Sequence, residues 1–320
     1  MAMGEFELIR RYFQQDGGAF GVVRGVGDDC ALLSVPEGQQ LAVSMDTLVG
    51  GVHFPPNADP ELIAERALRV NLSDLAAMGA EPLWFTLGLT LPSADEAWVK
   101  SFARGLLRVA ADYNIALVGG DTTRGPLAIT LQVHGSVAPG RALLRGNASV
   151  GDWVFVTGTV GDGAAALAVI KKQLEVGKSA FNYFMNSYYR PEPRIAFGQA
   201  LQGVANAAID ISDGLVADLG HICEESVLGA RIDLGKLPLS EPVRKLVSLD
   251  KGVQWALSGG DDYELCFTVP QARIGELERL IEQKRLQATH IGEITRGSGV
   301  TCFYKGREVP LKRQGYQHFE

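Results

Sequence analysis

Residues 204–215 read VANAAIDISDGL: an apolar run of strand character, then a turn holding Asp210, Ser212 and Asp213, then a helix start. Two carboxylates this close repel. At ~4 Å and an effective dielectric of about 20 the penalty is roughly 4 kcal/mol. Solvent, a helix cap or a cation must offset it. The strand–turn–helix order also bears on the fold, because the same order recurs along the chain. LAVSMDTLV (41–49), LWFTLGLTL (83–91), IALVGG (115–120) and LAITLQVHGSV (127–137) have strand character. ELIAERALRVNLSDLAAMG (61–79) has helical spacing and stops at Gly79. Ser93 and Glu96 form a capping-box pattern ahead of a second long helix, about 94–112.

The segment APGRALLRGNASVGD, near 140–150, is rich in small residues and glycine and marks a boundary. Beyond it, DWVFVTGTV (152–160) reads as a strand and GDGAAALAVIKKQL (161–174) as a helix opened by glycines. Helices near 179–188 and 192–204, a strand over 204–211 and a helix from about 213 follow. The remainder holds strands near 230–234, 263–269, 289–295 and 300–305, and a charged helix over 271–285. Alternation of this kind specifies an α/β class, with α+β layers, in two domains: 1–145 and 146–320. LSDLAAMG (72–79) and ISDGLVADLG (211–220) echo each other weakly, a match short enough to arise by chance.

Of the 320 residues, 46% are hydrophobic and 21% charged, as expected of a soluble globular protein. A net charge of −7 argues against a nucleic-acid partner, which needs a basic face. It leaves anionic substrates open, because a bound cation reverses the local sign. No apolar run is long enough to span a bilayer, and MAMGEFELIRRYF carries charges where a signal peptide would be apolar. A cytoplasmic protein with no membrane partner is expected. Cys30, Cys223, Cys266 and Cys302 form no C-x-x-C pair, so reduced and mostly buried thiols are expected instead of zinc or redox sites.

Five acidic clusters sit at the edges of apolar elements: GVGDDCALL (25–33), SMDTL (44–48), NLSDL (71–75), GGDTTR (119–124) and IDISDG (209–214). Singly, each has a structural explanation. Asp29 and Asp121 suit turns, Asp46 a strand end, Asp74 a solvated helix face and Ser212 an N-cap. Together they form an oxygen-rich set of the kind that suits Mg²⁺. Asn71 and Asp74 share one helix face, and that face runs into the apolar positions. An EF-hand does not fit, since the twelfth position counted from Asp210 is His221. Gly119 and Gly120 allow close backbone approach to a phosphate. Arg124 and Arg145 can pair with phosphate oxygens, and the glycine-opened helix near Gly161 offers N–H groups. VGKS (176–179) imitates the end of a P-loop, but the required first glycine falls on Lys172. Protein-kinase DFG and HRD motifs are absent.

GEFELI (4–9), GVGDDCALL, SMDTLVGGVHF (44–54), NLSDLAAMGAEP (71–82), GGDTTRGP (119–126), AIDISDGLVADLGHI (208–222) and SGGDDYELCFTV (258–269) together resemble the bacterial thiamine-monophosphate kinase family. The resemblance extends to GYQHF (315–319), so it spans nearly the whole chain. It implies the aminoimidazole ribonucleotide synthetase-like fold: an N-terminal α/β domain whose sheet pairs with a second subunit in a homodimer, and a C-terminal ferredoxin-like variant. It implies transfer of the ATP γ-phosphoryl to thiamine monophosphate, with several Mg²⁺ ions. By motif match, Asp29, Ser44, Met45, Asp46, Asp74, Asp121, Asp210 and Asp213 would surround the metal. Gly120, Asp121, Arg145 and Ser212 would touch ATP, and His53, Asp261 and Tyr316 the thiamine phosphate. Met45 stands where many relatives carry Thr. A thioether is a poor Mg²⁺ ligand, so contact there would run through the backbone carbonyl. Asp261 stands where Glu is frequent. No side-chain nucleophile or general base is expected, because a phosphate monoester is itself mostly dianionic at neutral pH. A Mg²⁺-dependent phosphohydrolase and another ATP-using synthetase of the superfamily are the alternatives.

Overall fold

The structure, a computed structural model, describes residues 5–14, 18–284, 287–310 and 315. The chain divides into two compact units: Met1–Leu75 with Ala80–Gly140, and Ala76–Gly79 with Arg141–Glu320.

The first unit contains α1 (Glu5–Tyr12), the short strands β1 (Val22–Arg24) and β2 (Leu32–Leu33), and β3 (Gln40–Val49). It continues with α2 (Pro60–Ala77), β4 (Glu81–Leu91), α3 (Glu96–Asp112), β5 (Ala116–Arg124) and β6 (Ala128–Val137). Its main sheet has the order β3-β6-β4-β5, with β4 and β5 parallel and the other pairs antiparallel. Helix α3 buries Val99, Phe102, Ala103, Leu106, Val109 and Ala110, a stripe at the 3.6-residue period. Gly105 in that stripe is obligatory. A Cβ there would lie 2.3 Å from the carbonyl oxygen of Glu61, so α3 rests directly on the backbone of α2. The capping box expected from Ser93 and Glu96 is not formed. Asp95 is the N-cap, accepting from the amides of Ala97 and Trp98, while Glu96 accepts from the Tyr12 hydroxyl at 2.8 Å. The helix starts at Glu96, so Asp95, and not Ser93, holds the position from which a side-chain oxygen reaches N2 and N3.

The second unit contains β7 (Trp153–Thr157), α4 (Asp162–Ile170), α5 (Lys178–Tyr189), α6 (Ile195–Leu201), β8 (Ala207–Asp210) and α7 (Leu215–Ser226). It goes on through β9 (Gly229–Asp233), α8 (Glu241–Leu246), α9 (Leu249–Ser258) and β10 (Leu265–Val269). It ends with α10 (Ile274–Lys284), β11 (Ala288–Thr295), β12 (Gly299–Tyr304) and β13 (Arg307–Val309). The seven strands run β13-β12-β9-β11-β7-β10-β8, antiparallel except for β9 with β12. Strands β7 and β10 are apolar almost throughout because both faces are covered. Val154, Val156, Ile209 and Cys266 point to one core with α7 and α9. Phe155, Ala208, Leu265 and Phe267 point to the other, with α6 and α10. The α/β class with layered sheets and helices read from the sequence is the class observed. The strand expected over 204–211 is shorter, since Val204 and Ala205 close the turn after α6.

Cys223, Cys266 and Cys302 are buried free thiols and Cys30 is exposed. Burial pushes the Cys223 and Cys302 thiols up to about 11. Among the described residues no helix is long and apolar enough to cross a membrane.

Candidate functional site

In the first unit, strand β3 pairs with β6 so that Ser44 lies opposite Val133 and Asp46 opposite Leu131. These residues share the face of the sheet on which α2 lies. The Ser44 hydroxyl donates to Oδ2 of Asp74 at 2.5 Å. One turn earlier in α2, Asn71 is fully buried. Its Oδ1 accepts from the backbone N–H of Asp46 at 3.1 Å, and its Nδ2 donates to the Ala67 carbonyl at 2.8 Å. A buried amide must satisfy both ends, so Asn71 ties strand to helix and fixes where Asp46 stands. The shared helix face of Asn71 and Asp74 is therefore the one that carries the site. Met45, 60% exposed, alternates to the other face of β3 and takes no part in the Ser44–Asp74 contact. His53 closes a turn against the end of β3, its Nδ1 accepting from the Val49 N–H at 2.9 Å.

Asp121 is elsewhere on this unit. The row Asp46–Leu131–Leu87–Gly120 crosses the whole sheet, so Asp46 and Asp121 stand on opposite edge strands. Three strand spacings separate them, on the order of 14 Å. Asp121 pairs with Gly88 in the adjacent row, on the opposite face from Asp46. The expected convergence of these carboxylates does not occur within one unit. Gly120 answers a different need from phosphate approach: with φ +153 it lies so near β4 that a Cβ would sit 2.0 Å from the Leu87 carbonyl oxygen. Asp29 is exposed on the loop after β1. Its N–H donates to Asp28, which is paired with Arg24.

In the second unit, Asp210 ends β8 and is 5% exposed. Ser212 and Asp213 follow on the turn into α7, with Gly214 at φ +119. Asp218, one turn into α7, reaches back. Its Oδ2 accepts the N–H groups of Asp213 and Gly214, each at 3.1 Å. Ser212 lies near the strap formed by residues 258–263. Asp261 donates its N–H to the Ser212 carbonyl at 2.9 Å, and Tyr263 to that of Ile211 at 2.8 Å. Asp261 and Tyr263 both adopt left-handed conformations, φ 69° and 52°. Non-glycine residues there cost about 1–2 kcal/mol each. Between them Asp262 turns inward, its carboxylate accepting from Gly161 at 2.7 Å and Gly163 at 2.9 Å. Burial pushes its pKa well above the usual carboxylate range. The glycine-opened start of α4, expected to offer N–H groups to a phosphate, is already occupied by this internal carboxyl group. Arg145 is exposed in a single 3-10 turn, its carbonyl accepting from Ser226. VGKS runs into the first turn of α5, and the element before it is helix α4, so the P-loop lookalike has no strand before it. Tyr316 falls outside the described residues. Gly315 before it is described: a Cβ there would lie 2.6 Å from Ala217 Cβ and 3.2 Å from the Asp213 carbonyl oxygen.

Among the described residues, no three His, Cys, Asp or Glu side chains are grouped closely enough to cage a metal. Ser44, Asp46 and Asp74 are the donors grouped on the first unit, and Asp210, Ser212 and Asp213 those on the second.

Residues 27–137 match the family model for the AIR synthase related protein N-terminal domain, and residues 149–305 that for the C-terminal domain. The thiamine-monophosphate kinase of Escherichia coli (strain K12) is 52% identical over 322 residues, covering 100% of this chain and 99% of that relative. The chain belongs to the thiamine-monophosphate kinase family. A crystal structure of the thiamine-monophosphate kinase from Stenotrophomonas maltophilia K279a superposes with a TM-score of 0.85 at 43% identity, over 91% of this chain and 93% of that one. A solved structure described as AaThiL complexed with AMPPCP and TMP superposes with a TM-score of 0.78 at 33% identity, over 89% of each chain.

Within this thiamine-monophosphate kinase fold, residues that merely hold the site are the ones hardest to see in advance. Asp218, Asp262 and Tyr263 lie beside the expected ligands without standing out by type or spacing, whereas Asn71 is marked by the helix face it shares with Asp74. Asp218 carries a measurable consequence. Burial, then the neighbouring charge of Asp213, raises its carboxyl to about 7. The folded protein keeps this proton up to about pH 7, whereas the unfolded chain releases it near pH 4. Folding thus takes up a proton in that window. The associated stability is fully present below the unfolded value and is lost as pH rises to about 7. Urea unfolding of metal-free protein is expected to become easier from pH 5 to 7.5, and Asp218→Asn to flatten that slope. Equal slopes in the two proteins would refute the assignment.

Proposed function

We infer that this protein is an ATP-dependent thiamine-monophosphate kinase, transferring the γ-phosphoryl of ATP to the phosphate of thiamine monophosphate and releasing thiamine diphosphate and ADP. The observation that carries this reading is 52% identity, end to end, with a relative of that name. A second support is the similar solved structure described with AMPPCP, a non-hydrolysable ATP analogue, and TMP together.

In this reading the acceptor phosphate is its own nucleophile. Its second pKa is near 6, so it needs no base. The task left to the protein is to align two polyanions and relieve their repulsion. The donors Asp29, Ser44, Asp46, Asp74, Asp121, Asp210 and Asp213, with the backbone carbonyl of Met45, would hold Mg²⁺. Their chemistry supports this: they are oxygens throughout, the donor type a hard cation prefers. Mg²⁺ held there would supply the positive charge that relieves the repulsion between the two polyanions. The chain's own residues do the orienting. Asn71 sets the backbone at Asp46, and Ser44 fixes the Asp74 carboxylate. Gly120, Asp121, Arg145 and Ser212 are assigned to ATP, and His53, Asp261 and Tyr316 to thiamine monophosphate.

A homodimer formed through the first unit's sheet belongs to the same proposal. Leu41, Val43 and Met45 are exposed on edge strand β3, 45%, 51% and 60%. A protein seldom leaves such an apolar stripe uncovered. Asp46 and Asp121 on opposite edges also favour a site completed by a second copy. A cytoplasmic location is part of the proposal. The test is direct. Incubation with Mg-ATP and thiamine monophosphate is expected to yield thiamine diphosphate and ADP in equal amounts. Release of free phosphate without thiamine monophosphate would reject the kinase reading in favour of a phosphohydrolase.

A further inference from the structure

We propose that Tyr263 is a positioning residue for the acceptor substrate, acting through Asp261. The inference rests on the reading that Asp261 contacts thiamine monophosphate. The Tyr263 hydroxyl donates to Oδ1 of Asp261 at 3.1 Å, from two residues along the same strap. Such a short-range contact is possible only because both residues are left-handed, at φ 69° and 52°. In an extended segment, side chains two apart share a face but run side by side, whereas here the strap folds the phenol back over the carboxylate.

The strap is over-determined, as strain at a functional site requires. The N–H groups of Asp261 and Tyr263 both bond to the loop that precedes α7. Gly260 cannot be replaced, since a Cβ would meet the Ser212 carbonyl oxygen at 2.2 Å. Asp262 points the other way, gripping the start of α4 through Gly161 and Gly163. Three consecutive residues therefore divide the work. Asp262 anchors the strap, Asp261 stays at the partly exposed surface, and Tyr263 fixes the direction of the Asp261 carboxylate. A tyrosine at φ 52° is costly where a glycine would fit better, and its hydroxyl makes the hydrogen bond to Asp261 that a glycine could not. Asp reaches one methylene less far than Glu, so its aim matters more.

The experiment compares Tyr263→Phe, Asp261→Ala and the double variant in the full-length enzyme. It reads KM for each substrate, kcat and the thermal midpoint. Tyr263→Phe is expected to raise KM for thiamine monophosphate about tenfold, equivalent to ~1.4 kcal/mol. KM for ATP, kcat at saturation and the thermal midpoint should stay near wild type. Asp261→Ala should raise the same KM further, and the double variant should match Asp261→Ala alone, because the phenol acts only through the carboxylate. If Tyr263→Phe leaves that KM within about twofold while Asp261→Ala raises it, the positioning role falls and the substrate role of Asp261 stands. If Asp261→Ala itself leaves KM unchanged, the substrate assignment falls and takes the inference with it. Equal rises in both KM values with a lowered midpoint, or effects that multiply in the double variant, would overturn the proposal in favour of a structural role.

Discussion

Asp74→Asn is expected to lower kcat for thiamine diphosphate formation on the order of 100- to 1000-fold, the scale seen when one preorganised electrostatic group is removed from a transition state. The protein should remain folded. Asp74 is only half-buried on α2, and its contact with the Ser44 hydroxyl at 2.5 Å can be kept by the amide oxygen. What the amide cannot keep is the negative charge that a divalent cation needs. The loss should therefore be accompanied by a higher Mg²⁺ requirement, which a structural defect would not produce. Turnover within about threefold of wild type at moderate Mg²⁺ would remove Asp74 from the metal set. Asn71→Ala makes a useful companion, because it releases the Asp46 backbone without touching any charge.

The largest expected effect on stability is at Glu264. This residue is 8% exposed and accepts from Nε of Arg194 at 2.6 Å and from its Nη2 at 2.5 Å. The Thr157 hydroxyl donates to the same carboxylate at 2.5 Å, and that hydroxyl accepts the N–H of Leu265 at 2.8 Å. Glu264→Ala leaves the guanidinium and the buried hydroxyl without their shared anion. Breaking one side of a buried pair costs about 3–5 kcal/mol. For a unit of this size that corresponds to a fall of roughly 10 °C in the thermal midpoint. Glu264→Gln should lose less, since it retains an acceptor. A midpoint for Glu264→Ala within about 2 °C of wild type would show that the network is not coupled to global unfolding.

Much of the architecture is legible in the residues themselves. The apolar run LWFTLGLTL can only be an interior strand, and it lies between β6 and β5. Helix α2 ends near Gly79 because that residue adopts φ +67, as a helix stop should. Helices α8 and α9 are not among the elements read from the sequence, although Ser240 and Ser248 cap them. Their short lengths give hydrophobic periodicity too few turns to declare itself. Other features depend on distant neighbours. Neighbouring sequence favours Ser93 as a cap, but Asp95 accepts two amides. The glycines at 161 and 163 look open to a ligand until Asp262, some hundred residues later, closes on them.

The candidate site divides the same way. Residue type and motif order marked Ser44, Asp46, Asp74, Asp210 and Asp213. Only the strand register reveals that Asp46 and Asp121 occupy opposite edges of one sheet, because a two-residue acidic signal carries no information about which strands become neighbours. Asp218 looks like an ordinary polar helix residue until its carboxylate is seen folded back on Asp213 and Gly214.

The loops at 158–163, 211–214 and 258–263 are cross-braced by Asp262, by the amides of Asp261 and Tyr263, and by glycines with no room for a methyl group. A change in any one of them is transmitted to the other two. Attempts to retune this catalyst for a different acceptor would therefore meet a scaffold that resists piecemeal redesign. The more permissive places to diversify are exposed positions outside the brace, such as Leu144 and Val52, 45% and 61% exposed.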